Sequence, residues 1–467
     1  MKNEESNITR NEKSGMKNGR RLAPKALACL FFILHFSLFI STQAQNGFNM
    51  PYSQFGIGST DLPYTVPTVN RMGGVAYTLS GSNYVNPFNP ASYGSIGMES
   101  FVFDMGATIQ MTRLQNNSES ANDADGNISH LMFGLPITRW WKAAAGLLPY
   151  SSVDYESVWE STYLGNSVVK NIYDGTGGVS MVFVGSAFNI MGNGVEGRRL
   201  QAGFNVNLLT GRIQRALSYD FQGIDSTHYM DKRRLKETKL GNLLFDLGVQ
   251  YWEPLGENYT LGVGITYKPY RKMNIDDKVL VYTYHGSDQS LVDTIFPAAG
   301  QSETVESTLE QDHTIGIGLS LARNNRWQVA ADVTFSGWAG MKYTEGITPP
   351  VFGESGLDYG PYSRYALAFE KTGTMDASSY WGRISWSAGF NLEQGVMRLN
   401  ISGRSEVVDA WGFGLGATLP MRKGKSLLTL SAGYRSVGNK DLLQRNCFTF
   451  GIGVSTCERW FAKRKYN

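Results

Sequence analysis

From residue 100 onward, the chain alternates apolar residues with polar or small ones at a period of two. In the segment 101–110, one parity holds Phe, Phe, Met, Ala and Ile, and the other holds Val, Asp, Gly, Thr and Gln. The same alternation recurs in 259–268, 313–321, 327–336, 384–390, 411–419 and 448–455. Successive side chains of a β-strand point to opposite faces, so the pattern predicts strands with one apolar face.

Two architectures use such strands, the β-sandwich and the transmembrane β-barrel. Sandwich strands are typically about 5–6 residues long, and their polar face lies in water. In this chain, the face opposite the apolar one is mainly Gly, Ser, Thr and Ala, which suits a crowded lumen better than a solvated surface. Alternating segments of about ten residues are typical of outer-membrane strands, so we favour an all-β transmembrane barrel over the sandwich.

The alternating segments predict about fourteen antiparallel strands, an even number as expected of a single-chain bacterial barrel. They are 100–112, 128–137, 143–156, 178–190, 199–214, 239–252, 259–283, 306–321, 327–338, 363–370, 380–391, 410–420, 426–436 and 447–456. Tight connections alternate with long polar or irregular ones at 113–127, 157–176, 217–237, 284–305, 339–362, 392–408 and 437–445. This alternation predicts short periplasmic turns and longer outer loops.

The N-terminus has the features of an export signal. Four basic residues between 17 and 25 precede the apolar run 26–40, and small residues follow at 41–45. We expect a signal peptide at 1–44 cut after Ala44, with an uncleaved anchor as the alternative. Localisation in the outer membrane of a Gram-negative cell follows from the signal and the barrel pattern together.

The mature chain is close to electrically neutral. The whole sequence has 43 Lys and Arg against 40 Asp and Glu; residues 1–44 hold seven and three of them, which leaves 36 and 37. A nucleic-acid partner is therefore not expected. Cys447 and Cys457 lie on one face of a predicted strand, roughly 33 Å apart at about 3.3 Å per residue, so we expect two free thiols.

Residues 46–99 fit no strand of the series, yet they are rich in aromatic and apolar side chains. A barrel of about fourteen strands encloses a lumen wider than that of an eight-stranded barrel. We therefore predict a plug at 45–99 inside a barrel at 100–457, with a periplasmic tail at 458–467. Within the plug, residues 89–97 are compatible with a short helix capped by Asn89 and opened by Pro90, or with an ordinary turn.

The stretch 70–96 resembles the N-terminal plug of the FadL/TodX family of outer-membrane transporters for fatty acids and other hydrophobic compounds. Arg71, Gly73, Gly74 and Ala76 match an Arg-Gly-Gly run, and Asn89, Pro90 and Ala91 match an Asn-Pro-Ala motif that precedes the first strand. Residues 411–436 and 448–467 resemble a FadL-like branch from Bacteroidetes-type bacteria. Specific motifs cover about a third of the chain.

The resemblance implies a plugged 14-stranded barrel in which a hydrophobic ligand enters from outside and leaves sideways through the wall after the plug shifts. The candidate plug and ligand residues are Arg71, Gly73, Gly74, Phe88, Asn89, Pro90, Ala91, Arg383 and Arg435. The family's hydrophobic capture groove has only two candidate segments here, 291–300 and 347–357.

Parity places five ionisable residues on the lumen face: Asp104, Lys268, Asp332, Arg383 and Arg435. We favour charge pairing between plug and wall, because buried charges are usually paired. The alternative is that Arg383 and Arg435 grip an anionic head group.

Covalent chemistry is not expected. The mature chain has four histidines, His130, His228, His285 and His313, and none has metal-ligand spacing. A Ser-Thr-His run at 226–228 lies in a polar loop without an orienting third group. We predict no catalytic residue, no metal and no cofactor.

The predicted function is passive uptake of hydrophobic small molecules such as long-chain fatty acids, with membrane lipid around the barrel. The main alternative is an accessory barrel whose outer or periplasmic face binds a protein partner, as in type IX secretion. A non-specific diffusion pore is the third candidate.

Overall fold

The structure is a computed structural model that describes residues 51–60, 62–98, 100–163, 167–192, 197–222, 230–285, 290–297, 302–324, 326–346, 357–401, 404–421 and 426–459. The predicted signal peptide, the first residues of the predicted plug and residues 460–467 of the predicted tail lie outside these ranges. The boundaries of these three segments therefore stay predictions. Among the described residues, no helix is long and apolar enough to cross a membrane.

The strands form one antiparallel sheet that closes on itself when β1 pairs with β19. They are β1 (Ser100–Gln115), β2 (Ser120–Pro136), β3 (Trp141–Tyr163), β4 (Ser167–Met191), β5 (Arg199–Gln222), β6 (Asp231–Leu255), β7 (Tyr259–Lys268), β8 (Arg271–His285), β9 (Ser290–Phe296), β10 (Thr304–Gln311), β11 (Thr314–Arg323), β12 (Trp327–Ser336), β13 (Met341–Thr344), β14 (Leu357–Asp358), β15 (Tyr362–Lys371), β16 (Ser385–Ile401), β17 (Arg404–Met421), β18 (Ser426–Val437) and β19 (Gln444–Arg459).

Four wall strands are each interrupted once. β7 and β8 both pair with β6, β11 pairs with β7, and β10 pairs with β8. β7 and β8 therefore form one strand of the wall, and β10 and β11 form the next. β12 with β13 and β14 with β15 are divided in the same way, and β9 pairs with β8 alone among the described strands. The wall therefore has fourteen strands, as predicted.

The helices are short. They are two 3-10 helices at Pro51–Gln54 and Pro90–Ser95, and α1 (Leu62–Thr65), α2 (Pro67–Asn70) and α3 (Tyr380–Arg383). α3 replaces the start of the strand predicted at 380–391. The Ser379 hydroxyl accepts a hydrogen bond from the Gly382 amide at 3.2 Å and caps a helical turn, so the strand begins only at Ser385.

The predicted parity of the strands is confirmed. In β1 and β11, Ile109 and Leu319 point outward and are 55% and 53% exposed in the isolated chain. Their neighbours in sequence face the lumen, where Thr108 and Ser320 are buried. The apolar face of the barrel is thus directed toward the hydrocarbon of the bilayer.

The small residues of the inward face allow the plug to approach the wall closely. A Cβ atom on Gly389 would collide with the backbone of Met72, and one on Gly414 with the backbone of Asn70. Glycine at these positions therefore permits direct contact between two backbones.

The predicted long irregular loops are mostly strand. β1 and β2 are joined by residues 116–119, β3 and β4 by 164–166, and β16 and β17 by 402–403. In each hairpin the backbone ladder continues to the residues next to the connection. Residues 291–296 of the predicted capture segment 291–300 lie in β9, and residues 298–300 lie outside the described residues. All of 347–357 except its last residue lies outside them too.

The wall is taller on one side. The apolar outward row ends near Leu147 on β3, Val182 on β4, Leu208 on β5 and Leu243 on β6, and polar side chains replace it above. The short turns 137–140 and 256–258 lie at the opposite end, which is the periplasmic end of an outer-membrane barrel. β3 to β6 therefore rise above the outer surface of the membrane.

Both mature cysteines are free thiols, as expected. Cys447 is buried on the inward face of β19, and Cys457 is half-buried near the periplasmic end.

Candidate functional site

Residues 51–98 lie inside the barrel and bond to strands all around the wall. The Asn70 amide donates to Ser431 on β18 at 3.3 Å, and the Tyr93 hydroxyl donates to Asn205 on β5 at 3.0 Å. Between these, the Gln250 amide on β6 donates to the Tyr77 carbonyl oxygen at 2.8 Å. The segment therefore fills the lumen, and we refer to residues 51–98 as the plug.

The Arg-Gly-Gly run forms a turn that is fixed to the wall. Gly73 and Gly74 have φ angles of 59° and 92°, a region that favours glycine. Their carbonyl oxygens accept hydrogen bonds from the Asn391 amide at 3.0 Å and the Arg364 guanidinium at 2.8 Å. Arg71 forms an ion pair with Glu370 on β15.

Asp332 on β12 holds the residues that follow this turn. Its carboxylate accepts from the backbone amides of Ala76 at 2.6 Å and Tyr77 at 2.9 Å. The side chain is buried and faces the lumen, as parity predicted. Asp104 also faces the lumen and accepts from the Val85 amide at 3.2 Å.

The Asn-Pro-Ala motif forms a 3-10 helix, which decides between the two alternatives left by the sequence. The Asn89 side chain accepts from the Ala91 amide at 3.1 Å and donates to the Tyr77 carbonyl at 2.8 Å. Asn89, Pro90 and Ala91 are buried, and Pro90 lies against Gly203 on β5. Phe88 is partly buried and packs on the core formed by plug and wall. These motif residues dock the plug.

Arg435 on β18 takes part in pairing between plug and wall. Its guanidinium lies 3.2 Å from the Glu393 carboxylate and 5.1 Å from the ring centre of Tyr64 in the plug. The Tyr64 hydroxyl also donates to Glu393. Burial raises the pKa of Tyr64, and the nearby charge of Glu393 raises it further.

The expectation that Arg383 faces the lumen is wrong. Arg383 ends α3 in the periplasmic connection, and its guanidinium stacks over Tyr380 at 5.4 Å. The helical turn interrupts the alternation on which the prediction depended. Lys268 is half-buried on the lumen parity of β7, as expected.

Sequence reasoning missed a buried Ser-His-Asp cluster. Ser129 Oγ lies 2.9 Å from His130 Nδ1, and His130 Nε2 lies 3.2 Å from the Asp104 carboxylate, which also accepts from Ser455 at 2.7 Å. All these side chains are at most 3% exposed, so a substrate has no access to the serine. The cluster joins β1, β2 and β19.

Two cavities flank the plug. The outer one measures about 190 Å³. Phe55, Ile57, Trp338, Met397 and Val437 give it aromatic and aliphatic walls, and the charged side chains of Glu393, Arg398, Arg435 and Arg445 also line it. The lower one measures about 220 Å³ and is rich in hydroxyl groups, which come from residues such as Thr68, Thr78, Ser385, Thr418, Thr429 and Ser455. One cavity thus lies on the outer side of the plug and the other on its periplasmic side.

The wall is open between β2 and β3, a feature we term the wall gap. The two strands share only six residue pairs, from Leu131–Leu147 to Pro136–Lys142. Above them, β2 pairs only with β1 and β3 only with β4 among the described strands. The gap begins at the outer edge of the apolar band.

Both strands carry an irregularity just above their last shared pair. The register between β1 and β2 skips Ser129, and the register between β3 and β4 skips Tyr150 after Pro149. A bulge bends its strand and can end pairing on one side. The two bulges therefore direct β2 and β3 toward their other neighbours and away from each other.

The plug occupies part of the edge that β3 presents to the wall gap. Ser59 and Ser152 exchange two backbone hydrogen bonds of 3.0 and 3.1 Å, and Ser151 Oγ donates to the Ile57 carbonyl at 2.6 Å. Ser53 Oγ accepts from the Asp154 amide at 3.2 Å. Residues 55–60 also line the outer cavity, so this segment separates the cavity from the wall gap.

The rim of the wall gap is acidic. Asp123 and Asp125 on β2 lie within electrostatic reach of Asp154 on β3, above the apolar band. Burial, together with the charges of Asp123 and Asp125, raises the pKa of Asp154 to about 6. An anion that crosses this rim meets like charges.

The BamG family model matches residues 26–467, nearly the whole sequence. The chain belongs to the BamG family. Its fold is similar to that of the CymD monoaromatic hydrocarbon channel, with 12% identity over 86% of this chain and all of that one, at a TM-score of 0.53. A FadL homologue of Pseudomonas aeruginosa is 11% identical over 88% of this chain and 99% of that one, at 0.53. The Ralstonia pickettii toluene transporter TbuX is 12% identical over 85% and 99%, at 0.52.

Two of these structural neighbours are named for transport, one as a hydrocarbon channel and one as a toluene transporter. No match is found among proteins with curated functions. The FadL-type barrel and the family place this BamG-family chain in the outer membrane of a Gram-negative cell.

Proposed function

We propose that this barrel passes small hydrophobic molecules across the outer membrane passively. The cargo enters the outer cavity and leaves sideways through the wall gap once plug residues 53–59 move. The observation that carries the proposal is the unpaired stretch between β2 and β3, which the plug covers through contacts such as Ser59–Ser152. The likeness to hydrocarbon and toluene channels supports the same class of function.

A lateral route suits apolar cargo better than a straight one. A straight route would take the cargo through the lower cavity, past hydroxyl groups and the ion pair of Arg71 with Glu370. The plug turn is fixed between the two cavities by Arg364, Asn391 and Asp332. Movement of residues 53–59 alone leaves these anchors in place.

Neutral cargo fits this route better than the long-chain fatty acids that the family resemblance implies. Arg435 already pairs with Glu393, which supports charge pairing between plug and wall over the gripping of a carboxylate. Asp123, Asp125 and Asp154 surround the exit with negative charge. Motif residues such as Arg71 and Asn89 act in the proposal as plug anchors and not as ligand contacts.

A disulfide between plug and wall tests the proposal. The exchange of two backbone hydrogen bonds makes Ser59 and Ser152 a hydrogen-bonded antiparallel pair, with Cα atoms about 5.5 Å apart, a spacing that a disulfide accepts. We expect oxidised Ser59→Cys/Ser152→Cys protein to lose at least nine-tenths of its uptake of a neutral aromatic dye into liposomes. Reductant restores the uptake.

Each single cysteine variant is the matched control and keeps full uptake under oxidant. Full uptake by the cross-linked protein, with the disulfide confirmed by mass spectrometry, contradicts the proposed route. Steady ion conductance of the cross-linked protein in planar bilayers would instead identify a non-specific pore.

A further inference from the structure

The outer part of β3 presents an unpaired strand edge above the membrane. Residues 156–162 pair with β4 on one side, and no described residue pairs with them on the other. β2 diverges below this level, and the contacts between the plug and this edge end at Asp154. A free edge of seven residues is long enough to accept another strand.

The direction of the free backbone groups follows from the plug contacts. The amide and carbonyl of Ser152 and the amide of Asp154 point to the side facing away from β4. Backbone groups alternate along a strand, so the amides and carbonyls of Glu156, Val158 and Glu160 point the same way. The single β-bridge between Ser59 and Ser152 shows that backbone groups on this side of β3 are open to pairing.

The side chains along this edge are apolar and acidic. Val158 is 53% exposed and Trp159 is 63% exposed, and both stand on the water side of the apolar band. Glu156 is exposed, and Glu160 is exposed with one distant ion pair, 3.8 Å, to Lys170 on β4.

We propose that residues 156–162 of β3 dock an extended basic segment of a partner protein, which adds a strand to the sheet at the outer face. Main-chain hydrogen bonds supply affinity in this mode of binding, and side chains supply selectivity. Lysine or arginine in the partner complements Glu156 and Glu160, and apolar residues cover Trp159.

Two copies of this chain that pair at the centre of this edge bring like charges together. In an antiparallel pair of two β3 edges centred on Val158, Glu156 of one copy lies opposite Glu160 of the other. Like charges directly opposite each other destabilise a strand pair. The acidic side chains favour a different, basic polypeptide as the occupant. Such an occupant would be the protein partner of the accessory-barrel alternative, and the inference does not depend on the proposed transport.

The test uses a fluorescent octapeptide of alternating valine and lysine, added to full-length protein in phosphatidylcholine nanodiscs. We expect saturable binding by fluorescence anisotropy, at least tenfold tighter than binding of the glutamate analogue or of the same peptide N-methylated at every residue. Empty nanodiscs bind neither peptide. Equal affinity for the N-methylated peptide overturns the proposal, because strand addition needs the peptide amides.

Two variants locate the binding to this edge. Val158→Pro removes an amide that faces away from β4, so the ladder with β4 is kept while binding weakens at least tenfold. Val158→Thr keeps the amide and binds like the native protein. The double variant Glu156→Lys/Glu160→Lys is expected to prefer the glutamate peptide. Unchanged preference in this double variant overturns the proposal even if Val158→Pro misfolds.

Discussion

At the scale of single residues, Asp154 connects the wall gap with the kind of molecule that passes it. Its carboxylate stands on β3 within reach of the charges of Asp123 and Asp125 on β2, and its pKa is raised to about 6. Above that pH the group is mainly charged, and below it the group is mainly neutral. The rim therefore repels anions most strongly at neutral and alkaline pH.

We expect Asp154→Asn to raise uptake of an alkyl sulfonate at pH 7.5 by about threefold, the effect of an exposed charge interaction of about 0.7 kcal/mol. Native protein at pH 5 should approach the variant, because its Asp154 is then protonated. Uptake into liposomes measures both, with a neutral hydrocarbon of equal chain length as the control cargo. A gain that is equal for both cargoes would contradict an electrostatic role for Asp154.

Some residues of the candidate site could be predicted from the sequence, and others could not. Arg71, Gly73 and Asn89 stood out because a motif and turn chemistry mark them. Their partners, such as Glu370 and Arg364, lie almost 300 residues away and carry no local signal. Arg383 was misplaced because a cap at Ser379 shifted the start of its strand.

At the scale of elements, the two bulges explain why a closed barrel has an opening in its wall. Ser129 on β2 and Tyr150 on β3 are the residues that the registers skip, both within three positions of the last shared pair, Leu131–Leu147. Ser129 contacts His130, and His130 contacts Asp104 on β1, so the bulge on β2 is held from the β1 side.

Deletion of Ser129 should restore regular pairing of β2 and extend its ladder toward β3. We expect uptake of a neutral dye to fall at least fivefold and hydrogen exchange of the amides in 148–154 to slow. Ser129→Ala keeps the bulge and removes only the hydroxyl, so it should retain both properties of the native protein. Normal uptake by the deletion variant would separate the bulge from the route.

Elements were predictable where the period of two persists, as in β7, β11 and β12, because lipid and lumen impose opposite polarity on the two faces. The upper halves of β3 to β6 were assigned to loops, because strands surrounded by water lose that contrast. The wall gap was not predictable either, since it depends on which strands pair and not on the pattern within any one of them.

At the scale of the whole molecule, the bilayer supports the barrel through its outward row of apolar side chains. Ile317 on β11 is 43% exposed in the isolated chain and lies mid-way along its strand. Thr176 on β4 is exposed too, but stands above the apolar band. Position 317 therefore faces hydrocarbon, whereas position 176 faces water.

Arginine at the two positions should therefore have different effects on stability. We expect Ile317→Arg to lower the free energy of unfolding by about 2–4 kcal/mol, the cost of a cation near the bilayer midplane. Thr176→Arg should change it by less than about 0.5 kcal/mol. Urea titration in lipid vesicles measures both, and equal effects would contradict the assigned position of the membrane.

Because β3 to β6 extend above the membrane, a polypeptide outside the cell can reach their tips. These strands contain 23 to 25 residues, about a dozen more than a crossing requires. At about 3.3 Å per residue and a tilt of about 45°, the excess lifts their tips roughly 28 Å into the layer of surface sugars. A soluble polypeptide supplied to intact cells can therefore meet Val158 without entering the periplasm or touching lipid.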